Sequence, residues 1–397
     1  MKIAIIGAGP AGIFAAMFLK DFKGEVHVFE QNEILGEKLR LTGGGRMNIT
    51  NKKLSADDYF SSETRLKNNL LKTRWLAERE ELFNELGIEY KWEENRAISK
   101  NENAGREVER LIRTLKKQKN TFIHEKIKIL EIQKSWKTYL IQFDKKREEF
   151  DYVIIATGGM LKLHDMGPRE NIYNLAVALG HTITKTRPVL TPLVITNNPL
   201  KDFAGVAFKG ALRNIGAKEE TTGDILITHL GISGPAVLDF SSVFEGNSCE
   251  LEFISELNEN QFRDEFWKLR EGKNYLRTYL HKFMPKNLYE WHLKKCGIST
   301  EVMIADVSKE KFNALQNSLF HQVLSGVQRM DYSNAWTTEG GVDLKEITVA
   351  TMESKITPHI YFAGEVVDVN GLCGGYNITF AAVTAKVASE AILKETV

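Results

Sequence analysis

Residues 1 to 30 read MKIAIIGAGPAGIFAAMFLKDFKGEVHVFE, and the order of signals within them decides the fold class. Ile3, Ala4, Ile5 and Ile6 form a short apolar run suited to a strand buried on both faces. GAGPAG follows, then the apolar-rich IFAAMFLKDF of a helix, then VHVF as a second strand ending at Glu30. This is a βαβ unit of the usual length. Gly7, Gly9 and Gly12 hold the GxGxxG spacing: the first permits a tight turn, the second lets a pyrophosphate approach the backbone, and the third lets helix pack close to strand. With Pro10 and Ala11 between them they are candidate cofactor contacts, since the helix that starts here directs its positive end at phosphates. Glu30 stands 18 residues past Gly12 (30 − 12), where a ribose hydroxyl needs an acceptor, and its charge disfavours a 2′-phosphate.

FAD and NAD both satisfy that fingerprint, and the other end of the chain separates them. In TPHIYFAGEVVDVNGLCGGYNITFAAV, residues 357 to 383, a strand delivers Ala363, Gly364 and Glu365 to a turn, Asp368 follows, and Gly374 and Gly375 open a final helix. A cofactor held at both ends of the chain must be long. FAD, with its ribitol and three-ring head, meets that demand better than NAD. The helix start at Gly375, Tyr376 and Asn377 would also favour the negative charge that a reduced flavin gathers.

The 397 residues exceed one simple core, and two or three domains are expected. Hydrophobic content of 43% and charged content of 26% describe an ordinary globular protein. Lys+Arg 53 against Asp+Glu 52 leaves a formal charge of +1, which gives no global electrostatic reason for nucleic acid or an anionic membrane as partner. Cys249, Cys296 and Cys373 lie far apart and form no CxxC pair, so neither a disulfide framework nor a cysteine metal site is expected. The N-terminus reads as a buried strand, not a signal peptide, and no segment approaches the roughly 20 apolar residues of a membrane span. A cytoplasmic location is the expectation.

Residues 75 to 90 and 107 to 119 have helical spacing, and DYVIIAT at 151 to 157 reads as a strand entering Gly158 and Gly159. From 188 to 257 short β-branched runs such as PLVIT and DILIT alternate with turn residues, suggesting an antiparallel sheet or small barrel. From 258 to 325 the chain becomes polar and helical, and from 326 to 397 α/β character returns. The expected architecture is an α/β, Rossmann-like FAD domain split between 1–187 and 326–397, with a β-rich domain at 188–257 and a small helical one at 258–325.

These residues resemble the bacterial FAD-dependent flavoproteins of the YhiN/BaiN type, which include the aminoacetone oxidases. The likeness runs through GEKLRLTGGGRMNITN at 36 to 51, ATGG at 156 to 159, ALGHTI at 178 to 183, THLGISGPAVLDFS at 228 to 241, TTEGGVDLKEI at 337 to 347, TMESKI at 351 to 356 and AGEVVDVNGLCGGYNITFA at 363 to 381. It implies a two-dinucleotide-binding type of FAD domain with the inserted domains placed as above. Carried over position by position, it implies that Thr42, Gly43, Gly44 and Gly45 lie along the flavin diphosphate and ribitol. Arg46 would offer its donors to a phosphate or to a neighbouring carboxylate. Asn48 and Asn51 would hold the loop, and Lys38 occupies a family basic position. Ala156, Thr157 and Gly158 join the cofactor contacts, with Glu365 and Asp368 from the C-terminal stretch.

Three departures matter. Met47 stands where the family has a cysteine, so no thiol chemistry is assigned there. NRAISKNENA at 95 to 104 keeps the family's Arg96 but has Ile98 and Ser99 where a Phe-Pro pair is usual. MLKLHDMGPRENIYNLAVALGH at 160 to 181 keeps only Gly167 of a glycine-rich second platform, which argues against a dedicated NAD(P)H site. Nicotinamide remains as a transient electron donor.

The chain has no HExxH, GxSxG or paired-cysteine redox motif. His229 and Tyr376 are the catalytic candidates, His229 equally readable as a structural histidine; Ser233 and Asp239 are further candidates for the substrate side. His181 reads as a residue packing after its helix, and Cys373 as a small buried residue. The expected function is an FAD-dependent oxidoreductase passing hydride between flavin and a small organic substrate. It would work either as an amine oxidase of aminoacetone type or as an NAD(P)H-linked reductase of a conjugated carbonyl. An FAD protein that binds or modifies RNA, and FAD as a structural ligand or sensor, are the alternatives. No nucleic-acid or membrane partner is expected, and the oligomeric state is left open.

Overall fold

The computed structural model describes residues 1–161 and 172–396, so Gly167 lies outside the described residues. The chain divides into two compact units, Met1–Arg187 with Thr337–Val397, and Pro188–Trp336.

The first unit is built on the stretch that opens the sequence. Strand β1 (Lys2–Ile6) pairs in parallel with β2 (Glu25–Glu30) on one side and with Tyr152–Ile155 on the other, so that Ile5 lies between Val28 and Ile154. Thr121–Glu125 and Ile360–Phe362 extend the parallel sheet at either side, and two short antiparallel strands, Glu353–Ser354 and Ile347–Thr348, complete seven. A central strand with partners on both edges needs apolar residues on both faces, and β1 buries Ile3 through Ile6. The α/β class with a Rossmann-like parallel sheet is thus present.

Helix α1 (Pro10–Phe18) has proline in its first turn, where no amide is needed. Past its far end the carbonyls of Leu19 and Phe22 accept from the Asn120 side chain at 3.0 and 3.1 Å. It packs along the last helix, Tyr376–Glu395, whose Ser389 hydroxyl donates to the Ala15 carbonyl at 3.3 Å. Both helices are buried along most of their length, and apolar residues dominate them. The amphipathic helix Ala104–Lys117 buries Val108, Leu111 and Leu115 and is capped by the Asn103 side chain, which accepts from the Arg106 amide at 2.9 Å.

The stretch 75–90 departs from a single helix. Arg74–Ala77 and Arg79–Glu85 are separate short helices broken at Glu78, and Gly87 at φ +66° turns the chain into the strand Tyr90–Glu93. Hydrophobic spacing is insensitive to one non-helical residue.

In the second unit seven antiparallel strands follow the order Gln322–Ser325, Ser248–Glu252, Ala207–Asn214, Thr221–Ile227, Gly231–Ser233, Leu193–Ile195 and Val327–Arg329. The sequence reading divides this stretch at 257/258 and ends it at 325. In the structure its strands and its helices, Glu259–Leu269, Lys286–Lys295 and Lys309–Phe320 among them, share one apolar core, and the final sheet strand extends to Arg329. Phe253, Phe262, Phe266 and Phe312 lie in that core.

His292 is wholly buried there, with Nδ1 2.8 Å from the Ser318 hydroxyl and the ring edge-on to Phe253. Burial, with Lys295 nearby, holds its pKa down at about 3. The unfolded residue takes up a proton near pH 6.5, so its contribution is complete above that pH and is lost as pH falls towards 3. The slope from this single group is up to about 1.4 kcal/mol per pH unit. His292→Gln, which cannot titrate, is expected to flatten the acid limb, as measured by urea unfolding between pH 6.5 and 4.5 (roughly the range where the unfolded imidazole charges). An unchanged slope would show that the ring does not carry it.

Candidate functional site

The site is built where the first and last parts of the first unit meet. A Cβ on Gly12 would lie 1.9 Å from the Gly7 carbonyl oxygen, so only glycine permits the close seat of α1 on its strand. The same turn leans on Ala156 and Thr157, for a Cβ on Gly7 would lie 2.4 Å from the Ala156 oxygen. By contrast nothing stands within 4 Å of the Cβ position of Gly9 or of Gly158. The backbone there is open, as a cradle for a phosphate chain must be. Glu30 is buried at the end of β2; Oε2 accepts from the Ala8 amide at 2.8 Å and Oε1 from the Asn32 amide at 2.9 Å. Each oxygen keeps further lone-pair capacity, so the acid can shape the glycine turn and still accept from a hydroxyl.

Residues 42–45, TGGG, form a tight turn in which Gly43, Gly44 and Gly45 all take positive φ, at 61°, 63° and 83°. A residue with a Cβ would be strained by roughly 1–2 kcal/mol at each such position. Three glycines in sequence are therefore a conformational requirement. Arg46 returns to φ −97°, and Met47 again takes positive φ, at 63°, with its side chain buried. The Asn48 side chain closes on Gly43, where a Cβ would lie 2.8 Å from Asn48 Oδ1, whereas Gly44 and Gly45 face open space. The Thr42 hydroxyl donates to the Leu39 carbonyl at 2.8 Å, and Asn51 Oδ1 accepts from the Lys53 amide at 3.0 Å.

Arg46 takes the second of the two partners the sequence allows it. Its guanidinium pairs with Glu93 at 2.5 Å and with Glu102 at 3.2 Å, and Lys91 joins the same two carboxylates. The hydrogen bond to Glu93 is the main cause of a raised Arg46 pKa, and the same bond lowers that of Glu93. A phosphate contact from Arg46 would compete with both acids, so its place is at the side of the loop.

The C-terminal stretch meets this surface. A Cβ on Gly364 would lie 2.7 Å from the Ala11 methyl. Glu365 Oε1 accepts from the Thr338 amide at 2.8 Å and the Thr337 hydroxyl at 3.0 Å, while Oε2 pairs with Lys38. Lys38 and Glu365 thus tie the N-terminal loop to the C-terminal turn. Asp368 is buried and accepts from the amide and hydroxyl of Ser62; burial raises its pKa and the Ser62 bonds oppose that rise. Gly375 caps the last helix with its Cβ position 2.7 Å from Thr50, and Asn51 Nδ2 reaches the Gly374 carbonyl at 3.4 Å. Asn377 clamps Gly371, donating to its carbonyl and accepting from its amide at 2.9 and 2.8 Å. Its side chain is spent on the loop, leaving the backbone for any ligand. Arg96 lies beside Gly374, its Nε 3.5 Å from that residue's Cβ position. Cys373 is half-buried rather than buried.

Of the catalytic candidates, Tyr376 buries its ring edge-to-face against Tyr59, with centroids 5.9 Å apart. His229 belongs to the second unit, exposed in the turn between Thr221–Ile227 and Gly231–Ser233, and Ser233 and Asp239 are in that unit too. His181 packs after its helix, buried between Glu346 at 3.2 Å and the Ser354 hydroxyl at 2.8 Å. Burial is the main cause of its lowered pKa. Sequence reasoning missed Thr337, Thr338, Ser62, Glu93 and Glu102. They are polar residues in distant segments, with no motif of their own beyond TTEGG. Among the described residues no group of three or more metal-ligating side chains occurs, and no helix is long and apolar enough to cross a membrane.

A dinucleotide turn, a left-handed glycine loop and a C-terminal helix start in one sheet-based unit define an FAD-dependent oxidoreductase. The family described as HI0933-like protein Rossmann domain matches residues 1–391, and the chain belongs to it. The resemblance to YhiN/BaiN-type flavoproteins holds accordingly. The chain is 30% identical over 404 residues to the 3-dehydro-bile acid delta(4,6)-reductase of Clostridium scindens, covering 98% of each protein. It is 31% identical over 385 residues to the ribosomal RNA dihydrouridine synthase of Haemophilus influenzae, covering 95% of this chain and 94% of that one. The same enzyme of Escherichia coli K12 is 28% identical over 382 residues, with 95% and 94% covered. A solved 3-ketosteroid-delta4-(5alpha)-dehydrogenase of Rhodococcus jostii RHA1 aligns over 98% of this chain and 96% of its own, with 12% identity and a TM-score of 0.49.

Glu30→Ala removes the acceptor for both the Ala8 and Asn32 amides as well as the acceptor expected for the ribose. The expected result is an FAD dissociation constant raised about tenfold or more, read by titrating apoprotein with FAD. Unchanged affinity would leave Glu30 a purely structural acid.

Proposed function

We propose that this FAD-dependent oxidoreductase reduces a carbon–carbon double bond conjugated to a carbonyl, with a nicotinamide as the donor of electrons. The observation that carries the reading is a chemistry shared by two differently named relatives. A delta(4,6)-reductase of a 3-oxo bile acid and a dihydrouridine synthase both add two hydrogens across a double bond in conjugation with a carbonyl. Bound and reduced, FAD would supply the hydride for the carbon distal to the carbonyl, with a proton for the adjacent carbon, and a nicotinamide would be the source of the two electrons.

In this reading the chain's own groups divide the labour by position. The open backbone at Gly9, set up by the close packing of Gly7 and Gly12, with Pro10 and Ala11 and the start of α1, holds the pyrophosphate, and Glu30 accepts from the adenosine ribose. Thr42, Gly43, Gly44, Gly45 and Asn48 present bare backbone to the middle of the cofactor, next to Ala156, Thr157 and Gly158. Lys38 and Glu365 fix the two sides of that cradle to each other, and Arg46 keeps the glycine loop in shape through its acids. Gly364, Asp368, Gly374, Gly375, Tyr376 and Asn377 form the far end, where the last helix directs its positive terminus at the ring head.

A small conjugated carbonyl compound is the first reading of the substrate, since a net charge of +1 supplies no global attraction to a polyanion. Uridine within RNA is the second reading. It is favoured by the names of two relatives and by Trp136, 87% exposed at a hairpin tip with the Lys137 ammonium 5.0 Å from its ring centroid.

Anaerobic NADH or NADPH is expected to bleach the yellow protein, and a 3-oxo-Δ4 steroid or a uridine-containing RNA to restore the colour with one equivalent of reduced product. The class of compound that restores it separates the two substrates. Bleaching by aminoacetone with peroxide release in air, and no product from either acceptor, would replace the reductase reading with an amine oxidase.

A further inference from the structure

Helix Thr64–Leu71 buries Lys67, Leu70 and Leu71, so a lysine stands where the i, i+3, i+4 pattern calls for an apolar side chain. Lys67 is 5% exposed. Its ammonium donates to the carbonyls of Ala56 at 2.8 Å and Tyr59 at 2.7 Å. Among the described residues no carboxylate is bonded to it. Asp57 and Asp58 act on it only through space, and Asp58 accepts instead from the Ser55 amide at 2.8 Å and the Ser55 hydroxyl at 3.0 Å. A buried ammonium is costly, and lysine is seldom buried without an acid beside it. What Lys67 holds is therefore worth following.

Ala56 and Tyr59 bracket Asp58, whose carbonyl accepts from the Leu372 amide at 3.2 Å. The next residues, Tyr59–Phe60, pair antiparallel with Asn370–Gly371. The Tyr59 hydroxyl donates to the Tyr376 carbonyl at 2.9 Å, and the amide and hydroxyl of Ser62 donate to Asp368. All of these ties fall between Asp368 and Tyr376, the far end of the cradle, and none of them reaches Gly7 to Glu30. An ammonium has three donors and can hold two carbonyls at once, which no apolar side chain at this position could do. We propose that Lys67 is a positioning residue for the flavin end of the site. By fixing the carbonyls of Ala56 and Tyr59 it sets the segment against which residues 368–376 close, and it acts through that segment rather than on the cofactor.

This role rests on FAD as the cofactor, and wild-type binding of FAD is the separate control for that. Apoproteins of the wild type, Lys67→Met and Tyr59→Phe are titrated calorimetrically with FAD and with ADP, which carries the adenosine and both phosphates but no flavin. Lys67→Met is expected to lose about tenfold in affinity for FAD and to keep its affinity for ADP within about twofold. Tyr59→Phe, which deletes one hydroxyl and leaves Lys67 in place, is expected to lose about threefold for FAD alone. A lysine that merely braced the fold would lower both affinities together or leave both as they are. An unchanged ratio of the two affinities in Lys67→Met overturns the proposal; should that variant fail to fold, an unchanged ratio in Tyr59→Phe overturns it instead. A wild type that binds ADP but not FAD removes the cofactor reading and this role with it, whereas a wild type that binds FAD beside variants of unchanged ratio removes this role alone.

Discussion

Everything in the first unit follows from how closely its opening and closing segments approach. The Gly12 backbone sits directly on the Gly7 carbonyl, and Gly364 touches the Ala11 methyl. At those contacts there is no room for a side chain, so α1 and the last helix lie side by side on one parallel sheet. The open faces of Gly9 and Gly158 depend on the same approach. Once the backbone is used to pack on one side and left bare on the other, a dinucleotide can lie where side chains would normally fill space.

The glycine loop illustrates how electrostatics and backbone conformation share a task. Positive φ at three successive residues would be strained for any other amino acid, and glycine alone confers no rigidity in return. The acids Glu93 and Glu102, with Lys91, hold Arg46 at the loop's end, and Asn48 closes on its start. The pairs are partly solvated, so their value lies in geometry more than in strength. Glu365 does the corresponding work at the other end, fixed by an amide and a hydroxyl from one segment and an ammonium from another.

Legibility in the sequence followed locality. The βαβ unit, the GxGxxG turn, Glu30 and the glycines of the last helix were readable because each signal is complete within a few residues. The break at Glu78 was not, since spacing of Leu76, Leu82 and Phe83 survives a single non-helical residue. Arg46 was readable as a residue in need of an anion, but which anion depended on Glu93 and Glu102, nearly fifty and sixty positions away in an unrelated pattern. The bland loop residues Ser62, Thr338 and Asn370 carry no motif, and they matter through where the chain returns.

The division of the first unit across the insertion sets an order on maturation. Lys38 and Thr50 emerge early during synthesis, but Glu365 and Gly375, against which they close, are made only after the whole second unit. A nascent chain carrying every residue of the GAGPAG turn still lacks the far wall of the cradle. In the proposed reading, capture of FAD waits until that wall is made, so a chain that stops before it is expected to lack flavin colour.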